Sequence, residues 1–205
     1  MKKISKVLFT GCFILAAQFA KAQTSNGVWN QLSVEGQYGL NMALSPNEGI
    51  TTGDYNAFKF FQFGVNYHID DVWGVRGSFA HSAFEHKDQD DLGVKYNKLV
   101  LEATYNIFEG LQSNVAANGF DVTAHAGFGL GIGKSESQSG DDMAGIAQIG
   151  VMPKYAVSPR IAVFLDATFV NQFSQDYGFN GLKSGQSNGS YFDFGVGVQI
   201  KMGQH

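Results

Sequence analysis

Cysteine is almost missing from this chain: one residue, Cys12, among 205, and it sits near the N-terminus. Beyond position 22, therefore, neither a disulfide nor a cysteine-held zinc can contribute. Proline is scarce at three residues, and no Pro-rich or Ser-rich linker divides the rest, whose length suits one domain. Long apolar runs are also missing. Past the N-terminus nothing approaches the roughly 20 residues of a spanning helix. Basic residues are few: residues 23–205 carry ten Lys and Arg against 18 Asp and Glu, a balance of −8. That balance argues against nucleic acid as a partner.

What is present begins with an export signal. Lys2, Lys3 and Lys6 give a basic start, residues 7–19 an apolar middle, and Ala20-Lys21-Ala22 a small-x-small cleavage site. The mature chain is predicted to begin at Gln23, so residues 1–22 are a signal peptide and 23–205 one domain.

Within that domain the dominant pattern has a period of two. Phe61, Phe63, Val65, Tyr67 and Ile69 face one way, while Gln62, Gly64, Asn66 and His68 face the other. Alternation with turn punctuation predicts eight strands, over 29–41, 57–69, 73–83, 96–108, 120–132, 146–157, 160–170 and 191–202. Pro153 weakens the sixth, because proline removes a ladder donor. The connections alternate in kind. Residues 70–72 and 158–159 are tight, whereas 42–56, 84–95, 133–145 and 171–190 are long and polar. The connection 109–119 breaks that rule, and a helical turn is expected near 111–116.

A soluble β-sandwich also alternates, but it hides its apolar face and wets its polar one. Here the polar face is mostly Gly, Ser, Thr, Asn, Gln and Ala with single charges, which suits a narrow enclosed lumen. Trp29, Tyr67, Trp73, Tyr105, Phe120 and Tyr155 fall near the short-turn ends of their strands, as an interfacial aromatic girdle would. The fold expected is all-β: a closed antiparallel eight-stranded transmembrane up-and-down barrel in a bacterial outer membrane. An even strand count puts both mature termini on one side, the periplasm. Mean hydropathy of −0.10 does not oppose this, since half of each strand points inward.

The whole mature chain resembles the small eight-stranded outer-membrane barrels typified by OmpX and the transmembrane domain of OmpA. The run Tyr191-Phe-Asp-Phe-Gly-Val-Gly-Val198 and the hairpin Pro153-x-Tyr155…Pro159-Arg160 carry the likeness. It implies a structural or surface-interaction role without catalysis. It also implies outer-membrane lipid and lipopolysaccharide as surroundings and the barrel-assembly machinery as a partner in biogenesis. The family usually ends on an aromatic residue, whereas here Gly203-Gln204-His205 trail behind Met202. The loop ligand is unknown. A narrow passive pore, a lipid-A-modifying enzyme and a secreted soluble β-protein are the rival readings.

Eight charges are predicted to project into the lumen: Glu35, Arg76, Lys98, Glu102, Lys154, Asp166, Asp193 and Lys201. Four acids and four bases in a confined space are expected to pair as a structural polar core. Exchange of pair partners to gate an ion path is the sharper alternative. No catalytic residues are expected. His81 and Ser82 are strand neighbours on opposite faces, and neither His68 nor His125 stands beside an obvious serine. No cofactor or metal site is expected either. Gly127-x-Gly-x-Gly-x-Gly133 lacks dinucleotide-binding spacing, and the acids at 88–91 and 141–142 lack EF-hand spacing.

Overall fold

A computed structural model describes residues 27–47, 50–89, 91–111 and 119–203. The signal-peptide segment, Cys12 and Gln204-His205 lie outside these residues. Eight strands follow one another: β1 Leu32–Ser45, β2 Ala57–His68, β3 Trp73–Glu85, β4 Gly93–Asn106, β5 Phe120–Ser135, β6 Asp141–Ala156, β7 Ile161–Phe173 and β8 Asn188–Lys201. Each pairs antiparallel with its sequence neighbour, and β1 pairs with β8, which closes the barrel. Among the described strands no ladder edge is left to seek another chain.

The period-two pattern becomes an inside and an outside. Leu101, Phe128 and Val196 are 65%, 76% and 64% exposed on the outer wall, while Ser33, Asn41 and Arg76 are fully buried in the lumen. A soluble sandwich would show the reverse. Large inward side chains are accommodated by glycines on the next strand. A Cβ at Gly150 would stand 2.5 Å from the His125 ring, and one at Gly64 would stand 2.9 Å from the Glu35 side chain. The inward glycines therefore make room in a crowded cylinder.

Several boundaries differ from the sequence expectation. Trp29 does not open β1; it lies on a single helical turn, Gly27–Asn30, just before the strand. All four long polar connections shorten, to 46–56, 86–92, 136–140 and 174–187. The ladder continues past the apolar belt through Glu85↔Gly93 and Lys134↔Asp141, using polar residues whose backbone pairs as well as any other. Pairing of β6 with β7 is interrupted between Val151↔Ala167 and Lys154↔Phe164, around Pro153. Proline has no N–H to give there. In the connection 107–119 a helical turn lies at Ile107–Gly110, where Asn106 Oδ1 accepts from Glu109 N at 3.1 Å. The turn expected near 111–116 lies, apart from Leu111, outside the described residues.

One end of the barrel thus carries the connections 46–56, 86–92, 136–140 and 174–187, the long-loop end. The other, the short-turn end, carries 69–72, 107–119, 157–160 and both ends of the barrel sequence. Around the short-turn end the Trp73 and Tyr105 rings lie 4.8 Å apart, and Phe120 packs 5.9 Å from Phe108. Tyr67 Oη donates to Gln31 Oε1 at 2.8 Å, and Trp29 and Tyr155 are exposed there.

Candidate functional site

Among the described residues the lumen gathers a dense set of buried charged side chains, and Arg76 on β3 is its centre. Arg76 Nε donates to Glu102 Oε2 at 2.7 Å and Nη1 to Glu35 Oε1 at 2.9 Å, with Asp166 Oδ2 3.8 Å from Nη1. These four side chains come from β3, β4, β1 and β7, so the ion pairs tie opposite walls together. His125 on β5 adds a fifth strand. Its Nδ1 lies 2.7 Å from Glu102 Oε1, and its Nε2 lies 3.2 Å from Asp166 Oδ1. Only the doubly protonated ring can donate to both carboxylates. With Nδ1 unprotonated, the ring instead accepts from Arg76 Nη2, 2.8 Å away.

Neutral side chains occupy the remaining acceptor positions. Asn66 Nδ2 donates to Glu35 Oε2 at 2.8 Å, Gln37 Nε2 to Asp166 Oδ2 at 3.0 Å, and Thr168 Oγ1 to Asp166 Oδ1 at 2.7 Å. Gln148 joins this cluster to a second. Its Nε2 donates to Glu102 Oε1 at 2.8 Å, while its Oε1 accepts from Lys98 Nζ at 3.1 Å. Lys98 in turn donates to Asp193 Oδ2 at 2.7 Å and lies 5.3 Å from the Tyr191 ring centroid. Buried charge on this scale is tolerable only because each group has several partners.

Six of the eight sequence-predicted lumen charges therefore meet in one network: Glu35, Arg76, Lys98, Glu102, Asp166 and Asp193. The other two do not. Lys154 lies towards the short-turn mouth, 3.8 Å from Asp121. Lys201, expected inside, is exposed, because the last residue of β8 stands at the open mouth. Gln148 was not singled out from sequence, although its inward position on β6 could have marked it. The expectation that no serine stands by His68 also needs correction: Ser33 Oγ is 3.0 Å from His68 Nε2 across the β1–β2 pair. Ser33 is fully buried, and no described carboxylate hydrogen-bonds the ring, so a nucleophile, base and orienting acid are not assembled.

Towards the long-loop end the lumen changes character. Phe84, Val94, Tyr96, Ile146, Val170 and Tyr191 point inward and form one buried cluster. Tyr177 and Phe179, from the connection 174–187, join it from above. That connection is pinned by Asp142, whose Oδ2 accepts from Asp176 N at 2.8 Å and Tyr177 N at 3.1 Å. Asp142 is thus an inward anchor rather than a solvated loop acid. The Phe84 ring lies 4.7 Å from Phe179 and 5.1 Å from Tyr191. An apolar plug thus sits above the polar network.

The chain is similar in structure to Neisserial surface protein A, with a TM-score of 0.58 at 14% identity, covering 83% of this chain and 97% of that one. The fold is that of the small outer-membrane barrels. At such identity the likeness extends to the fold and no further. The N-terminal barrel domain of Pseudomonas aeruginosa OprF matches with a TM-score of 0.46 at 16% identity, over 82% of this chain and 96% of that one. Ail of Yersinia pestis matches at 0.45 and 16%, over 82% and 97%. No family model matches the chain, and no curated protein matches its sequence.

Proposed function

We propose that this protein is an integral outer-membrane barrel with a sealed lumen, acting in a structural or surface-interaction role rather than as a catalyst or pore. The observation that carries this is the double closure of the lumen. Arg76 and its acids span it at mid-height, and the Phe84, Tyr96 and Tyr191 cluster fills it above. An eight-stranded cylinder is only wide enough for such side chains. The exposed apolar wall supports a membrane setting, with lipid and lipopolysaccharide around it and the barrel-assembly machinery inserting it. In this setting the export signal over 1–22 is removed, the short-turn end with both mature termini faces the periplasm, and the long connections face outward. Trp73, Tyr105, Phe120, Tyr67, Tyr155 and Trp29 then lie at the periplasmic interface.

Planar-bilayer recording tests the seal. A sealed lumen gives no stable open state, and reproducible unitary conductance from the folded wild-type barrel would overturn it. Lipid-A mass spectra of a deletion strain test the absence of catalysis. Spectra unchanged by the deletion are expected, and a lost acyl modification would contradict it.

A further inference from the structure

The short-turn mouth opens into a cavity of about 380 Å³ that lies outside the network of paired charges. His68 on β2, Lys154 on β6 and Lys201 on β8 line it, together with the neutral side chains of Asn66, Thr104 and Gln199. The ladder brings Lys201 and His68 towards one another. Lys201 pairs with Ser33 across β8 and β1, and Ser33 Oγ contacts His68 Nε2 at 3.0 Å.

The acids and bases of this cavity are not equally satisfied. Asp70 Oδ1 accepts from Val72 N at 2.8 Å and Trp73 N at 2.6 Å, as part of the tight turn. Asp121 accepts from Asn106 Nδ2 at 2.8 Å and from Val122 N at 2.6 Å. Asp71 and Glu109 stand exposed. Lys154, by contrast, has a side chain only 12% exposed, and Asp121 at 3.8 Å is beyond hydrogen-bond distance. Among the described residues neither Lys154 Nζ nor Lys201 Nζ has a hydrogen-bond partner. The Lys154 ammonium is open to solvent at this mouth, and an incoming oxyanion would offer it charge-assisted acceptors in place of water.

We propose that this mouth binds a small oxyanion, a phosphate or carboxylate group, held by Lys154 at the cavity floor and Lys201 at its rim. The volume admits one charged group and a short stem but no folded partner. Such a group can arrive free in solution or on a lipid headgroup. The site does not depend on which way the barrel is oriented.

The test uses the full mature chain in phosphatidylcholine nanodiscs, titrated at neutral pH with inorganic phosphate and then with acetate. Amide shifts of His68, Lys154 and Lys201 are followed by NMR, with Lys59→Gln as a control far from the mouth. Saturable shifts confined to the mouth are expected, with affinity about tenfold weaker in Lys154→Met, the size of one charge-assisted hydrogen bond. Lys201→Gln, at an exposed position, leaves the fold intact and weakens binding in the same direction. If phosphatidylglycerol nanodiscs produce the shifts before any phosphate is added, the headgroup is the source. If they appear only with phosphate or acetate, the free ion is. No saturable shift under any of these conditions, or a response unchanged in both lysine variants, would overturn the proposal.

Discussion

The two halves of the lumen share one alternation and have opposite chemistry. At mid-barrel the inward positions hold Arg76, Glu102, His125 and Asp166, joined by hydrogen bonds of 2.7 to 3.2 Å. Towards the long loops they hold Phe84, Tyr96, Ile146 and Tyr191, packed as a soluble core would be. Alternation sets the direction in which a side chain points and leaves open what it must be. An enclosed space is stable if its charges are paired or if its contents are apolar. The barrel uses both solutions, one above the other, and the proposed seal rests on the two together.

The comparison breaks most readily at Arg76. Arg76→Met leaves Glu35, Glu102 and Asp166 short of their shared cation and is expected to lower unfolding stability by about 4 kcal/mol. Urea unfolding in lipid vesicles measures this, and a loss below about 1 kcal/mol would mean the network is dispensable. In the apolar half, Phe84→Ala is expected to cost about 3 kcal/mol by the same assay through the cavity it leaves. It should open no conductance, because the charges below it remain paired. A subtler probe is Gly150→Ala, whose new methyl group meets the His125 ring. A loss of about 2 kcal/mol is expected, with an altered His125 ring resonance and an unchanged plug. The smallest effect belongs to the outer rim. Lys59→Gln removes an ion pair with Glu85 whose lysine is 52% exposed, and a change within about 0.5 kcal/mol is expected. A larger loss there would mean that surface pairs, rather than the lumen, hold the long-loop end together.

Strand number, direction and facing were legible in the residues because a two-residue period leaves no freedom once one face is apolar. Partner choice was not. Lys98 and Glu102 both point inward from β4, yet Lys98 meets Asp193 while Glu102 meets Arg76, and that division depends on register and barrel tilt. Lys201 shows a second limit, since inward parity at the last residue of a strand leads to open water. Tyr177 and Phe179 show a third. Two aromatics in a connection rich in Gly and Ser signal burial, but only tertiary structure tells that they join the inward cluster of Phe84, Tyr96 and Tyr191. The cavity at the short-turn end was similarly hidden, because it gathers His68, Lys154 and Lys201 from strands far apart in sequence.

The central claim is that lipid chains surround the apolar outer wall. Residues 23–205 contain no cysteine, so single cysteines can be placed at the outward positions of β5 and, as a control, at Ser137 in the connection 136–140, and labelled fluorescently in vesicles. Quenching by brominated acyl chains should be strong at Ala126, Phe128 and Leu130 and weak at Ser137. A flat profile, with a chain that stays monodisperse in buffer free of detergent and lipid, would contradict it.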